Sequence, residues 1–248
     1  MKTVLITGCN RGLGLEFVRQ LVGLKNPPSK IIATCRSIDK AQELNALKSQ
    51  NQNIHILELD VTNFDKYNEI SEQAKDIVGD DGLNVLINNA GVTTKFTRLN
   101  MVKQEQIIEN LIINAVAPIM FTKALLPLLK TAAANNASAP LGSSRAVIMN
   151  MSSILGSIEM NKKEGGFYPY RTSKSALNAA TKSMSIDLKS DGILTISMHP
   201  GWVQTDMGGK QAPLKPEQSI KGMLGVLADL KVEQNGLFLQ FDGKKLPW

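Results

Sequence analysis

With 248 residues, 43% of them apolar, the chain is long enough to bury one large core, and an α/β domain of this size is ordinary. Its 28 Lys and Arg against 22 Asp and Glu leave a net charge of +6 with no run of five like charges, which suits a small anionic ligand and argues against a nucleic-acid surface. Two cysteines make no disulfide framework, two histidines make no metal constellation, the opening "MKTVLIT" has no signal-peptide pattern, and no stretch approaches 18 consecutive apolar residues. The expectation is a cytoplasmic protein with reduced thiols, no metal and no membrane span.

Short β-rich runs at 4–7, 30–35, 53–59, 83–88, 145–150, 194–199 and 237–241 alternate with segments of helical period. That alternation predicts right-handed βαβ crossovers: a single α/β domain over residues 1–248, Rossmann-type and doubly wound, with a seven-stranded parallel sheet and helices on both faces. After the first run, "TGCNRGLG" puts Gly8, Gly12 and Gly14 between strand and helix, where the backbone can turn tightly and approach a pyrophosphate at a helix N-terminus. Cys9, at that helix start beside Arg11, is expected to be the more reactive thiol if it is exposed. The second run ends at Cys35 and Arg36, where NAD sites carry an acid for the ribose 2′-hydroxyl and NADP sites a cation. Arg36 and Arg11 therefore point to NADPH. Asp39 keeps an NAD reading open, and is otherwise expected to begin the next helix.

Asp60 follows the third run in "LDVTNFD", a setting that also suits a turn or cap residue. A long helix is predicted at about 103–131, where Ile107, Ile108, Leu111, Ile112, Ala115 and Ile119 recur at helical spacing. The small, polar stretch 135–144 reads as a surface connection, and the irregular segment at about 202–218 is long enough to serve as a lid.

Residues 164–183, "EGGFYPYRTSKSALNAATKS", hold two tyrosines and two lysines. A phenol can protonate a developing alkoxide when a cation pulls its pKa down from about 10. Positions i and i+4 share a helix face, so Lys174 sits one turn from Tyr170, whereas Tyr168 meets Thr172 at that spacing and Lys182 lies too far away. Pro169 suits a first helical turn, which places Tyr170 near the helix start and Tyr168 in the loop before it.

Seven marks now stand in order: Thr7 to Gly14 in the pattern TGxxxGxG, Asp60, "Asn88-Asn89-Ala90-Gly91", Asn114, Ser152-Ser153, Tyr170-x3-Lys174 and Pro200-Gly201. Together they resemble the short-chain dehydrogenase/reductase family, and within it the carbonyl reductases. The resemblance implies an NADPH-dependent reductase whose small-molecule carbonyl substrates are aldehydes, ketones or quinones, among them reactive carbonyls from lipid oxidation. It implies catalytic roles for Ser153 (with Ser152 as the fallback), Tyr170 and Lys174, and for Asn114, which would bend the long helix and hold a water linking Lys174 to solvent. It also implies coenzyme contacts from Gly8, Asn10, Arg11, Gly12, Leu13, Gly14, Arg36, Asp60, Val61, Asn88, Ala90, Gly91, Tyr170, Lys174, Pro200, Gly201, Val203 and Thr205. Within that set Asp60 would accept from the adenine amino group, Asn88 and Gly91 would line the adenosine side, and Thr205 would hold the nicotinamide carboxamide. The stretch from Ser153 to Tyr170 is longer than is usual in the family. Its extra residues, in "IEMNKKEGGF", fall at the mouth of the site and bear on the homodimer that relatives form through the long helix and the Tyr/Lys helix. Rival readings are an NAD-dependent alcohol or steroid dehydrogenase, separated by coenzyme preference, and a nucleotide-sensing module without turnover, against which the intact Ser, Tyr and Lys argue.

Overall fold

The computed structural model describes residues 1–162 and 165–248; Lys163 and Glu164, within the extra stretch before Tyr170, lie outside the described residues. In chain order the elements are β1 (Thr3–Ile6), α1 (Gly12–Val22), β2 (Lys30–Cys35), α2 (Gln42–Gln50), β3 (Ile54–Glu58), α3 (Tyr67–Val78), β4 (Val85–Asn88), α4 (Gln104–Leu111), α5 (Ala117–Asn135), β5 (Ala146–Met151), α6 (Tyr168–Asp187), β6 (Ile193–His199), α7 (Pro216–Ala228), β7 (Phe238–Gln240) and β8 (Lys245–Leu246). The sheet order is β3-β2-β1-β4-β5-β6-β7-β8. The expected seven parallel strands are present, and an antiparallel β8 adds an eighth. Two residues long, β8 is too short to leave a pattern in the sequence.

A parallel sheet covered on both faces needs apolar side chains at successive positions, not at alternate ones. The central strands supply them. Val4 and Ile6, Ile31 and Ala33, Val85 and Ile87, and Val147 and Met149 join one cluster with Phe17 of α1, Leu44 of α2 and Leu227 of α7. The residues between them, Leu5, Ile32, Leu86 and Ile148, join a second cluster with Ile70 of α3 and Phe121, Leu125 and Leu129 of α5. Strand order reverses between β1 and β4, so the loops leaving their carboxyl ends diverge and open the crevice where such sheets take ligands.

Three expectations about elements change. The long helix is α4 and α5 joined by one π-helical turn at Ile112–Val116, and it runs on to Asn135. By length and mean hydropathy Gln104–Asn135 is apolar enough to cross a membrane, which a count of consecutive apolar residues missed because Thr122, Lys123 and Lys130 interrupt them; in this fold Phe121, Leu125, Leu128 and Leu129 pack on the sheet. Asp39 does not begin α2, which starts at Gln42. Tyr168 is the first residue of α6, with Pro169 in its opening turn, so Tyr168 is helical and not part of the preceding loop.

Candidate active site

The turn between β1 and α1 is built on glycines because nothing else fits. Gly8 has φ +74°, and a Cβ at Gly14 would lie 2.1 Å from the Gly8 carbonyl oxygen. The Thr7 hydroxyl oxygen accepts from the N–H groups of Asn89 and Ala90, both at 3.0 Å, and Asn89 Nδ2 donates to Thr7 O at 2.8 Å, which fastens the turn to the loop leaving β4. No side chain caps the start of α1, so its first N–H groups are left for an anion. Gly14→Ala forces the turn apart. It is expected to cost about 1–3 kcal/mol, the range for overpacking, and to abolish nucleotide binding; thermal melts with and without nucleotide check both, and wild-type behaviour in both would contradict the close packing.

Beside this turn lies a cleft of about 460 Å³. Of the residues expected at a coenzyme, Gly8, Asn10, Arg11, Gly12, Leu13, Gly14, Arg36, Asp60, Val61, Ala90, Gly91, Tyr170, Lys174, Pro200 and Thr205 line it together. Three do not. Asn88 Nδ2 donates to Asn150 Oδ1 at 2.8 Å and Thr122 Oγ1 at 3.1 Å, so its side chain is buried in the sheet and not along the cleft. Gly201, with φ +86°, makes the turn after β6, and Val203 is buried and bridges to Leu214. Sequence reasoning missed Cys35, Thr62, Glu109, Met151, Asp206 and Met207 in the lining, among others. Cys35, Thr62, Met151 and Asp206 adjoin the expected Arg36, Val61, Ser152 and Thr205, whereas Glu109 and Met207 carried no local signal.

The two arginines play different parts. Arg11 Nη1 donates to Asp206 Oδ2 at 2.5 Å in an exposed pair that links the glycine turn to the segment after β6, and Arg11 lines the cleft as expected. Arg36 is exposed at the end of β2 and has no ion pair among the described residues. Asp60 is a turn residue as well as a cleft residue: its Oδ1 accepts from the N–H of Thr62 at 2.9 Å and from its hydroxyl at 2.8 Å. The Thr62 N–H first, then the Thr62 hydroxyl and the Arg36 charge, hold its carboxyl below the usual range.

At the other wall α6 delivers the reactive side chains. Its N-cap, Phe167, is the one non-glycine residue with positive φ among the described residues, +51°, and its ring stands edge-on to Phe96 at 5.1 Å. Tyr170 and Lys174 follow one turn apart, with Lys174 Nζ 5.7 Å from the centre of the Tyr170 ring. Lys174 is buried and donates from Nζ to Met151 O at 2.7 Å. Ser152 Oγ donates to Asn178 Oδ1 at 2.6 Å and is committed there. Ser153 Oγ accepts from Leu155 N at 3.2 Å and stands close enough to the Tyr170 phenol to pull its pKa down, whereas it is Ser152 that lies in the cleft lining. Asn114 sits fully buried in the π-helical turn, accepting from Val92 N at 2.9 Å and donating to Val92 O at 2.8 Å and to Ser173 Oγ at 3.0 Å. A Cβ at Gly91 would lie 3.0 Å from Asn114 Oδ1 and 3.6 Å from Lys174 Nζ, so the glycine keeps the space between them open.

The electrostatics differ from the expectation that Lys174 depresses the Tyr170 pKa. Burial pushes Tyr170 up to about 12, against a small downward pull from Ser153, and pushes Lys174 down to about 7. Lys174 therefore carries a pH signature. Its folded pKa lies below the 10.5 of a free lysine, so between those values the unfolded chain binds more protons and stability rises with pH; below about 7 the cost of burying the ammonium is complete. Wild type is expected to gain stability relative to Lys174→Met between pH 7 and pH 10 in urea titrations, and parallel pH profiles for the two would contradict this.

Cys9 and His199 play no part in the lining. Cys9 is fully buried, its Sγ donates to Ile6 O at 3.3 Å, and burial drives its pKa up, so the exposure on which its expected reactivity depended is not met. Burial pushes His199 down to about 4.

The carbonyl reductase Sniffer of D. melanogaster matches this structure with a TM-score of 0.99 over 100% of both chains, at 50% identity. An NADPH-bound carbonyl reductase from chicken fatty liver matches with a TM-score of 0.94 at 38% identity, covering 100% of this chain and 99% of that one. An uncharacterized oxidoreductase of Schizosaccharomyces pombe is 30% identical over 270 aligned positions, 100% of this chain and 98% of its own. The C-signal protein of Myxococcus xanthus is 40% identical over 166, 67% of this chain and 93% of its own. The family model described as short chain dehydrogenase matches residues 2–215, a span that takes in the glycine turn, Ser153, Tyr170, Lys174 and the segment after β6. A chain matched over that span, with the glycine turn and the Ser, Tyr and Lys gathered about one cleft, belongs to the short-chain dehydrogenase family.

Proposed function

We propose that this chain is an NADPH-dependent carbonyl reductase acting on aldehydes, ketones or quinones, lipid-oxidation carbonyls among them. The observation that carries the reading is the meeting of Tyr170 and Lys174, with Ser153 beside the Tyr170 phenol, at a cleft that also holds the glycine turn and Arg36. The residues fit the coenzyme: a turn closed to any side chain, an uncapped helix start, and a cation without an ion pair where NAD sites carry an acid. The chicken carbonyl reductase, 38% identical, is NADPH-bound, which supports the same assignment.

NADPH, when bound, supplies the hydride. Ser153 donates a hydrogen bond to the substrate carbonyl oxygen and polarises it, and Tyr170 gives its proton to that oxygen as charge develops. A phenol at about 12 holds its proton securely at neutral pH but gives it up reluctantly. Lys174, pushed down to about 7, is protonated in part at neutral pH, and its ammonium one turn along favours the phenolate that remains. The open space at Gly91, between Asn114 Oδ1 and Lys174 Nζ, is where a water would return a proton from solvent. The test is coenzyme consumption with a quinone, followed by absorbance. Turnover with NADPH well above that with NADH is expected; no turnover across an aldehyde, a ketone and a quinone would contradict the proposal.

A further inference from the structure

We infer that Asn178 is a positioning residue for the reduction: it takes the proton of the Ser152 hydroxyl and holds the turn after β5 against α6, so that Ser153 is the hydroxyl presented beside Tyr170. The inference rests on the reading of the cleft as a reductase site with Tyr170 as its proton donor.

Four side chains of α6 grip that turn. Arg171, Lys174, Ser175 and Asn178 stand at i, i+3, i+4 and i+7, which puts them on one face of the helix. Lys174 Nζ donates to Met151 O at 2.7 Å, Arg171 Nη1 to Leu155 O at 3.3 Å and Ser175 Oγ to Gly156 O at 2.8 Å. Asn178 Nδ2 donates to the same Gly156 O at 3.4 Å, and Asn178 Oδ1 accepts from Ser152 Oγ at 2.6 Å. The turn lies directly on the helix, since a Cβ at Gly156 would stand 2.8 Å from Lys174 Cβ. Within it Gly156 N donates to Ser153 O at 2.7 Å and Leu155 N to Ser153 Oγ at 3.2 Å. The grip thus falls on both sides of Ser153, on Met151 and Ser152 before it and on Leu155 and Gly156 after it. Asn178 bridges the two sides.

The chemistry of the amide gives the bridge its meaning. A backbone carbonyl only accepts, so Nδ2 faces Gly156 O and Oδ1 is turned to Ser152, whose hydroxyl is then the donor. Two serines compete for the substrate: Ser152 lines the cleft, and Ser153 stands beside the Tyr170 phenol. A hydroxyl has one proton, and that of Ser152, buried together with Asn178, goes to the amide. Ser153 Oγ accepts from Leu155 N and keeps its proton for the carbonyl oxygen. Without the amide the Ser152 proton is released to compete, and the turn that carries Ser153 loses the tie across it. A misplacement of about 1 Å at a reacting group is enough to cost about 10²-fold in rate.

The test uses Asn178→Leu, which keeps the volume and removes both polar atoms, with Ser152→Ala and Ser153→Ala beside it. Ser152→Ala breaks the same bond from the turn side, so it carries the test even if Asn178→Leu does not fold. One readout needs no coenzyme: amide hydrogen exchange followed residue by residue by NMR. In Asn178→Leu and in Ser152→Ala it is expected to quicken at Leu155 and Gly156 by about two- to tenfold, the span of one buried hydrogen bond, while α1 keeps its wild-type rates. The other readout is turnover of a quinone with NADPH. Asn178→Leu is expected to lower kcat by about 10- to 100-fold with the Kd for NADPH unchanged, and by only about twofold or less once Ser153 is already Ala, as a residue acting through Ser153 must. Ser152→Ala is expected to lose no more than Asn178→Leu, and Ser153→Ala more than either. Unchanged exchange at Leu155 and Gly156, an Asn178→Leu loss just as large without the Ser153 hydroxyl, or a Ser152→Ala as damaging as Ser153→Ala overturns the inference. If wild type reduces no carbonyl, the functional reading fails, and the hold of Asn178 on the turn stands or falls on the exchange rates alone.

Discussion

Tyr170→Phe is expected to lower kcat for carbonyl reduction by about 10²- to 10⁴-fold, the contribution of a positioned proton donor, while the Kd for NADPH stays close to that of wild type. The phenyl ring fills the same space between Ser153 and Lys174, so only the hydroxyl is lost from the cleft wall. A loss confined to kcat identifies an interaction made at the transition state. Tyr168→Phe removes an equivalent hydroxyl two residues away, on the first residue of α6 and outside the cleft lining, and is expected to retain most activity. Steady-state kinetics and a fluorescence titration of NADPH on both variants decide it. A silent Tyr170→Phe beside a dead Tyr168→Phe would contradict the assignment.

Arg36→Asp is expected to remove the preference for NADPH. A charge-assisted hydrogen bond to the 2′-phosphate contributes roughly 1.5–3 kcal/mol, which is on the order of 10- to 100-fold in discrimination. The substitution goes further than deletion, since it faces a phosphate with a carboxylate and offers NADH an acceptor for its 2′-hydroxyl. Arg11 lines the same cleft and still favours the phosphate, so the ratio of kcat/KM for the two coenzymes should collapse by roughly 100-fold without fully inverting. A ratio that hardly moves would place Arg36 on an idle surface.

The parts of this account that could be read in the sequence are those fixed by short-range geometry. The glycine spacing of "TGCNRGLG" follows from a backbone that has no room for a Cβ, and the pairing of Tyr170 with Lys174 follows from the period of a helix. Parallel strands buried on both faces show as continuous apolar runs, which is why seven of them could be placed. What escaped depends on where a side chain points or on partners far along the chain. Asn88 and Asn89 are neighbours with opposite fates, one turned into the sheet toward Asn150 and the other onto the Thr7 turn, because Asn88 ends β4 and Asn89 opens the loop that leaves it. Cys9 sits at a helix start but points beneath it, so burial overrides the setting that would have favoured the thiolate. The same holds for Lys174: its spacing from Tyr170 was visible, whereas the desolvation that brings it to about 7 exists only once the fold has closed around it. The π-helical turn that carries Asn114 is one residue wider than the helical period, and no pattern of apolar residues marks it.

Transfer of hydride to a carbonyl carbon is the central claim, and isotope transfer tests it most directly. The protein is incubated with an aldehyde or ketone and NADPH carrying deuterium on the reactive face of the nicotinamide, and the product alcohol is analysed by mass spectrometry. The account predicts one deuterium on the carbinol carbon with wild type and almost none in the same time with Tyr170→Phe. Alcohol formed without deuterium from either face-labelled coenzyme, or formed equally fast by the Phe variant, would contradict it.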